Sequence, residues 1–196
     1  MIRKIILIAA ASLTASAQSG ADLATITRIE GIVYLDEIAT TATGSPVRDA
    51  TIRTASGRAV IHLRGNGTLF IGENSAVRVF DNRPFNFNRL EMIDGSAVLA
   101  TGAGAGMVAC EDAVNLSDHA LVRMDLHPIP ASPYGEHSCR FKVYEGAASA
   151  QLTSIATVLR AGKMMALNRR AGDMIPWNDF NSSDRDDFDR WTTMNR

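Results

Sequence analysis

The 196-residue chain is short of several things that usually announce a function. It has two cysteines, Cys110 and Cys139, spaced far from C-x-x-C, which excludes a dithiol redox motif. No cysteine stands near the N-terminus to form a lipobox. Neither charge sign dominates: 20 basic and 21 acidic residues leave a formal net charge of −1. A chain so balanced has no global attraction for nucleic acid, so none is expected as a partner. The four histidines, His62, His119, His127 and His137, lack the i, i+4 or other short spacing of a metal site, and no metal or cofactor is expected. There is no G-x-S-x-G elbow, and nothing in the spacing brings serine, histidine and aspartate together. Gly102 to Gly106 fails as a dinucleotide fingerprint, because Met107 stands where the third glycine belongs; it reads as a flexible connection. The acidic run Asp184 to Asp189 lacks the glycine and the twelfth-position glutamate of a calcium loop. No catalytic residue is assigned.

The N-terminus does carry a signal. Arg3 and Lys4 precede an apolar stretch from Ile5 to Thr14, and Ala15-Ser16-Ala17 forms an A-x-A site before Gln18, the pattern of a cleaved secretory signal. The competing reading is a retained anchor, against which Ile5 to Ala17 falls short of the ~20 apolar residues that cross a bilayer. The expected compartment is periplasmic or extracellular, with no stable membrane span after cleavage. Loss of Arg3 and Lys4 takes the net charge to about −3. The remaining length suits one domain, or one with a small appendage.

From Thr51 to Phe80 the sequence alternates. Ala59, Ile61 and Leu63 fall on one face of a strand, with Arg58, His62 and Arg64 on the other and Val60 among them. Gly65-Asn66-Gly67 turns the chain, Leu69 and Ile71 resume the period, and Gly72-Glu73-Asn74 turns it again toward Val77 and Val79. Short strands recur to Leu167, with turns at Gly31, Gly57, Gly95, Gly146 and Gly162 and no clear repeat. The expectation is an all-β fold, either an antiparallel β-sandwich or a short β-solenoid, ending in one short helix. Asn181, Ser182 and Ser183 are the expected caps of that helix, with Phe188 and Trp191 on its packing face.

The order of these residues resembles the FecR-like domain of envelope regulatory proteins. The matching positions are Thr54, Gly57, Ala59, Leu63, Gly65, Gly67, Leu69, Ile71, Gly72, Ser75, Val77 and Val79. Leu90 to Leu99 is similar to the family's next hairpin, and Phe141 to Ala150, with Glu145-Gly146 at its turn, to a late strand-turn-strand unit. Leu159 to Lys163, containing Gly162, resembles the step that follows, and the closing Phe188 and Trp191 a terminal F-x-x-W pattern. The resemblance implies a sensory or interaction module. Only Met1 to Lys4 precede the apolar run, so the expectation is the exported half without a cytoplasmic anti-sigma segment. The division expected is 1–17 signal peptide, 18–168 FecR-like β domain and 169–196 C-terminal extension.

Cys110 and Cys139, an even pair in a chain read as exported, are expected to form a disulfide; two buried free thiols are the alternative. It would close a loop of about 30 residues, worth roughly 3–4 kcal/mol if unstrained. Between them Asp125 to His137, with three prolines, reads as a loop. It is either a recognition surface presenting His127, Tyr134 and His137, or a tolerated insertion. Ala76 to Phe80 is read as a sheet edge open to strand addition. The functional expectation is a non-enzymatic binding or sensory module that interacts with another envelope protein, with a part in signal transduction. The alternative is a glycan-binding or structural envelope protein, with Trp177 and Tyr134 stacking on sugar rings.

Overall fold

The structure, a computed structural model, describes residues 22–65, 67–81, 88–102, 105–109, 112–128, 137–151, 156–168, 178–181 and 184–196. In chain order the strands are β1 (Ala24–Glu30), β2 (Val33–Leu35), β3 (Ile38–Thr40), β4 (Pro46–Val47), β5 (Ala50–Thr54), β6 (Arg58–Leu63) and β7 (Gly67–Ile71). Then come β8 (Ala76–Asp81), β9 (Asn88–Ala100), β10 (Ala105–Ala109), β11 (Asp112–Leu116) and β12 (Leu121–Pro128). The last are β13 (His137–Glu145), β14 (Ala147–Gln151), β15 (Ala156–Arg160), β16 (Lys163–Asn168) and β17 (Asn178–Asp179), followed by helix α1 (Asp187–Met194).

The strands form two sheets that share β9. One runs β4-β1-β6-β7-β9-β12-β13-β16-β17. The other runs β3-β2-β5-β8-β9-β10-β11-β14-β15. Every pairing is antiparallel except β9 with β10. The first half of β9 belongs to the second sheet and its last six residues to the first, with the switch at Gly95. One apolar cluster draws from both sheets, including Ile26, Ile61, Leu69, Phe141 and Val143 from one and Ile52, Val77, Leu90, Val114 and Leu159 from the other. The all-β expectation with a short C-terminal helix therefore holds.

The chain alternates between sheets hairpin by hairpin, and the crossings lie on two opposite rims. Ile71 pairs with Ala97 and Leu126 with Gly95, which puts Gly72 to Ser75 and Asp94 to Ser96 at one rim. Leu121 pairs with Ala100 and with Glu145, which puts Thr101, Ala120 and Gly146 at the other. Each rim is tied by a buried threonine. Thr54 Oγ1 donates to Gly72 O (2.5 Å) and accepts from Ser75 N (3.0 Å). Thr101 Oγ1 donates to Ser117 O (2.9 Å) and accepts from Ala120 N (2.8 Å). The likeness extends further: Ser96 N donates to Ser75 Oγ and Ala147 N to Ser117 Oγ. Asn74 and His119, non-glycine residues, both have positive φ, 49° and 52°. The halves are thus two versions of one motif, Thr54–Asn74–Gly95 and Thr101–His119–Gly146. This is an internal repeat that the sequence hides, because only backbone-directed groups are kept.

Glycine is required at the matched pair of crossings. Gly95 has φ +85°, and a Cβ there would sit 2.5 Å from Ser75 Cα; Gly146 has φ +73°, and a Cβ would sit 2.9 Å from Ala120 Cα. Both the left-handed conformation and the backbone contact exclude a side chain. Gly162, also left-handed at φ +82°, has nothing within 4 Å of an added Cβ.

Three expectations are corrected. The stretch Ala76 to Phe80 is not an edge: β8 bonds to β5 on one side and β9 on the other, so its backbone groups are already satisfied. Asp125 to Pro128 and His137 are strand rather than loop, because the β12–β13 ladder continues to the pairing of Pro128 with His137. Proline is tolerated there because it ends the ladder. Gly106 lies in β10 and pairs with Arg89 and Asn115, so that part of the glycine run is sheet rather than flexible connection.

Replacing Gly95 with alanine is expected to cost about 2–4 kcal/mol, through strain plus a clash with backbone. Gly162→Ala, strained but open, is expected to cost about 1 kcal/mol. Urea unfolding of the two variants checks this; equal losses would show that the close approach at Gly95 contributes nothing.

Candidate interaction site

The outer face of the first sheet carries helix α1. Alternation along β12 sends Val122, Met124 and Leu126 to the core and Arg123 and Asp125 outward; along β13 it sends Phe141 and Val143 inward and Lys142 and Tyr144 outward. On neighbouring β6, β7 and β9 the outward positions are instead apolar: Val60, Phe70 and Val98. Phe188 and Trp191 of α1 cover them, Trp191 edge-on to Phe70 with ring centroids 6.1 Å apart and stacked on Phe188 at 6.0 Å. Burial of each aromatic is worth about 1.5–3 kcal/mol. This explains Val60, the apolar residue on the otherwise polar face of β6.

Helix α1 is capped by Asp186, not by Asn181. Asp186 Oδ1 accepts from Asp189 N (3.0 Å) and Asp189 Oδ2 accepts from Asp186 N (3.3 Å), a reciprocal capping box. Asn181 N is instead bonded to Asp184 Oδ2, and Ser182 and Ser183 lie outside the described residues. The cap also clips the helix to the sheet. Arg123, 6 % exposed, reaches Asp125 (2.9 Å), Asp186 (2.8 Å) and Asp189 (3.0 Å), with its guanidinium 5.5 Å from the Phe188 ring. Ser96 Oγ donates to Asp125 (2.6 Å) and Tyr144 Oη to Asp189 (2.7 Å). At the far end of the helix Trp191 Nε1 donates to Glu30 (2.9 Å), and Arg196 forks onto Glu145 (2.6 and 2.9 Å).

These contacts set the protonation states. Burial works against the Arg123 charge, but Asp186, Asp125 and Asp189 together outweigh it and hold the guanidinium ionised. Burial raises Tyr144 well above the ordinary phenol value, reinforced by its bond to Asp189, so it remains a donor. Burial also pushes Asp186 upward, yet the Arg123 bond and the Asp189 backbone N–H overcome this and bring it to about 2. The fork from Arg196 lowers Glu145 and is itself raised.

Beside α1 a small cleft of about 90 Å³ opens. Phe70, Val98 and Leu121 line it together with Tyr144, Glu145, Asp189, Thr192, Thr193, Arg196 and Arg185. Arg185 lies over the Tyr144 ring at 5.3 Å. This cleft is a concavity formed by the described residues. Among those residues no group of three His, Cys, Asp or Glu side chains could hold a metal, and no helix is long and apolar enough to cross a membrane.

The residues singled out in the sequence scatter. Thr54, Gly57 and Gly72 sit at one rim and Gly146 and Gly162 at the other, while Leu63 and Val77 are core. Gly65 turns β6 toward β7, and Gly67 is the first residue of β7. Glu145 is spent on Arg196. His127 is exposed on β12, across the ladder from Ser138. Tyr134 and Trp177 lie outside the described residues, as do 1–21. Cys139 is buried in β13, and no free cysteine occurs among the described residues; Cys110 lies outside them. Sequence reasoning missed Arg123, Asp125 and Arg185. The signal for the first two was present: an R-x-D pair facing outward on a strand whose inward positions, Val122, Met124 and Leu126, are apolar.

No family model and no curated relative matches the chain. Two crystal structures from Parabacteroides distasonis, each described as a "putative anti-sigma factor", share its fold. One superimposes with TM-score 0.55 at 10 % identity over 68 % of this chain and 61 % of that one; the other gives 0.54 at 9 % over 67 % and 59 %. The chain thus spans about three fifths of their length. The likeness is one of fold, and it is consistent with the FecR-like resemblance of the sequence.

Arg123→Met is expected to destabilise by about 3–5 kcal/mol, because it leaves three carboxylates facing each other with their cation gone. The acid side has a defined sign. Asp186 titrates lower folded than unfolded, so its contribution is complete above about pH 5 and is lost as pH falls toward 2. Asp186→Asn should lower the melting temperature at neutral pH and differ progressively less from the wild type between about pH 4 and pH 2. A difference that does not narrow on acidification would contradict the Arg123 clip.

Proposed function

We propose that the chain is an exported, non-enzymatic binding module of the FecR type that contacts another envelope protein and takes part in signal transduction. The observation that carries this is the fold: crossover-linked antiparallel sheets shared in outline with proteins described as "putative anti-sigma factor". It is joined by the secretory pattern of Arg3 to Ala17. The chemistry of the described surface is in keeping with it. The buried polar side chains Arg123, Asp125 and Asp189 are bonded to one another, an arrangement that holds a shape rather than one that attacks a substrate. Cys110 and Cys139 are proposed to pair, which suits an oxidising compartment.

Tagged mature protein, crosslinked briefly to solubilised envelope and compared with a version shortened over residues 129–136, tests the reading. Recovery of one membrane protein above an unrelated β-protein control supports it; recovery of polysaccharide alone, or of nothing, abandons it. Dependence on 129–136 would assign the contact to that segment. The pairing is checked separately: thiol alkylation of the unfolded chain should require prior reduction, and labelling without reductant would sink it.

A further inference from the structure

We propose that the cleft beside α1 receives one aliphatic side chain of the partner protein, with an adjacent carboxylate of that partner held by Arg185. The inference rests on the reading that the chain binds an envelope protein, and it adds where and by what chemistry. The apolar lining comes from three strands: half-buried Leu121 of β12 forms its accessible part, with the fully buried Phe70 of β7 and Val98 of β9 behind it. Its volume of about 90 Å³ is far below the ~300–1,000 Å³ of sites for drug-sized ligands. A single leucine-sized group fits; a cofactor does not.

The polar groups around the opening are spent, with one exception. Tyr144 Oη is bonded to Asp189, Asp189 is paired with Arg123, and both terminal nitrogens of Arg196 are on Glu145. The hydroxyls of Thr192 and Thr193 donate to the backbone carbonyl of Asp189. Arg185 is different. Its guanidinium stacks over Tyr144, and among the described residues no carboxylate lies within ion-pair distance of it. Glu145 feels Arg185 only at longer range, being committed to Arg196. A stacked guanidinium keeps its N–H fork aimed and unshared, which is the geometry that grips a carboxylate. An apolar socket beside one unmatched positive charge selects an aliphatic group with an acid next to it, and disfavours a basic one.

The test uses 4-methylpentanoate, which joins a leucine-like group to a carboxylate, titrated into the mature chain and followed by amide NMR. Its neutral amide and 3-methylbutylamine serve as controls. The carboxylate should shift signals around Leu121, Thr193 and Arg185 and bind roughly tenfold more tightly than the amide, as expected for a hydrogen-bonded charge pair. Arg185→Glu should abolish that preference while leaving amide binding unchanged. Thr193→Trp, placed on the exposed helix surface at the mouth, should block both without altering the melting temperature. Absence of localised shifts, equal binding of the amine, or an Arg185→Glu variant that keeps the preference would overturn the proposal. Envelope capture by the same variants separates the two claims. Capture that survives Arg185→Glu and Thr193→Trp removes the cleft and keeps the binding module. A positive titration with no capture by the wild type removes the envelope partner and keeps the socket.

Discussion

Backbone touching backbone at the sheet crossings is the constraint on which this molecule depends. A chain that passes between two sheets every hairpin must expose peptide groups at the rim, and each needs a partner close by. Here the partners come from the next crossing. Thr54 serves the step from Gly72 to Ser75, Ser75 serves Ser96, Thr101 serves Ser117 and Ala120, and Ser117 serves Ala147. The hydroxyls do this because a short side chain can both donate and accept within one turn. Glycine occurs where that closeness leaves no room for Cβ. Among the residues that make the sequence resemble a family, Thr54, Gly57, Gly72 and Ser75 lie where the chain changes sheets, while Ala59, Leu63, Leu69, Ile71, Val77 and Val79 fill the core. They describe an architecture and carry no chemistry of their own.

The helix adds a second layer with different physics. Its apolar side is held by Phe188 and Trp191 on Val60, Phe70 and Val98, a contribution that depends on area and little on geometry. Its first turn is held by Arg123, where geometry is everything. A buried arginine facing three aspartates gains little net stability, since desolvation offsets most of the attraction. What it adds is position: the guanidinium bonds both cap carboxylates, Asp186 and Asp189, and so ties the first turn of the helix to β12. The cleft exists because of that placement, its floor belonging to the sheet and one wall to the helix.

Under the proposed function such an arrangement would serve recognition. Both rims are tied by side-chain to backbone hydrogen bonds, and the cleft beside α1 is lined by side chains that are bonded to one another. A socket of this kind favours a side chain presented by a larger partner, because the free energy of filling so small a volume is modest by itself.

Much of the fold was legible in the sequence, since strand periodicity, turn glycines and an F-x-x-W helix face are local patterns. Ala59, Ile61 and Leu63 lie in the core as their spacing requires, and the helix falls at the end of the chain. The errors arose where a local signal met a distant partner. The backbone of Ala76 to Phe80 gives no hint of having neighbours on both sides, because pairing depends on strands far away in the chain. Prolines between Asp125 and His137 suggested a loop, while the ladder to β13 extended farther into that stretch than composition implies. By itself the sequence determined an antiparallel all-β chain, a short terminal helix and the glycines that its turns need. Only the tertiary structure decided that the two halves repeat, that Val60 is covered, that Arg123 gathers three aspartates and that Arg185, beside the cleft, meets no carboxylate among the described residues. Each of these is a contact between residues remote in sequence, and no periodicity records such a distance.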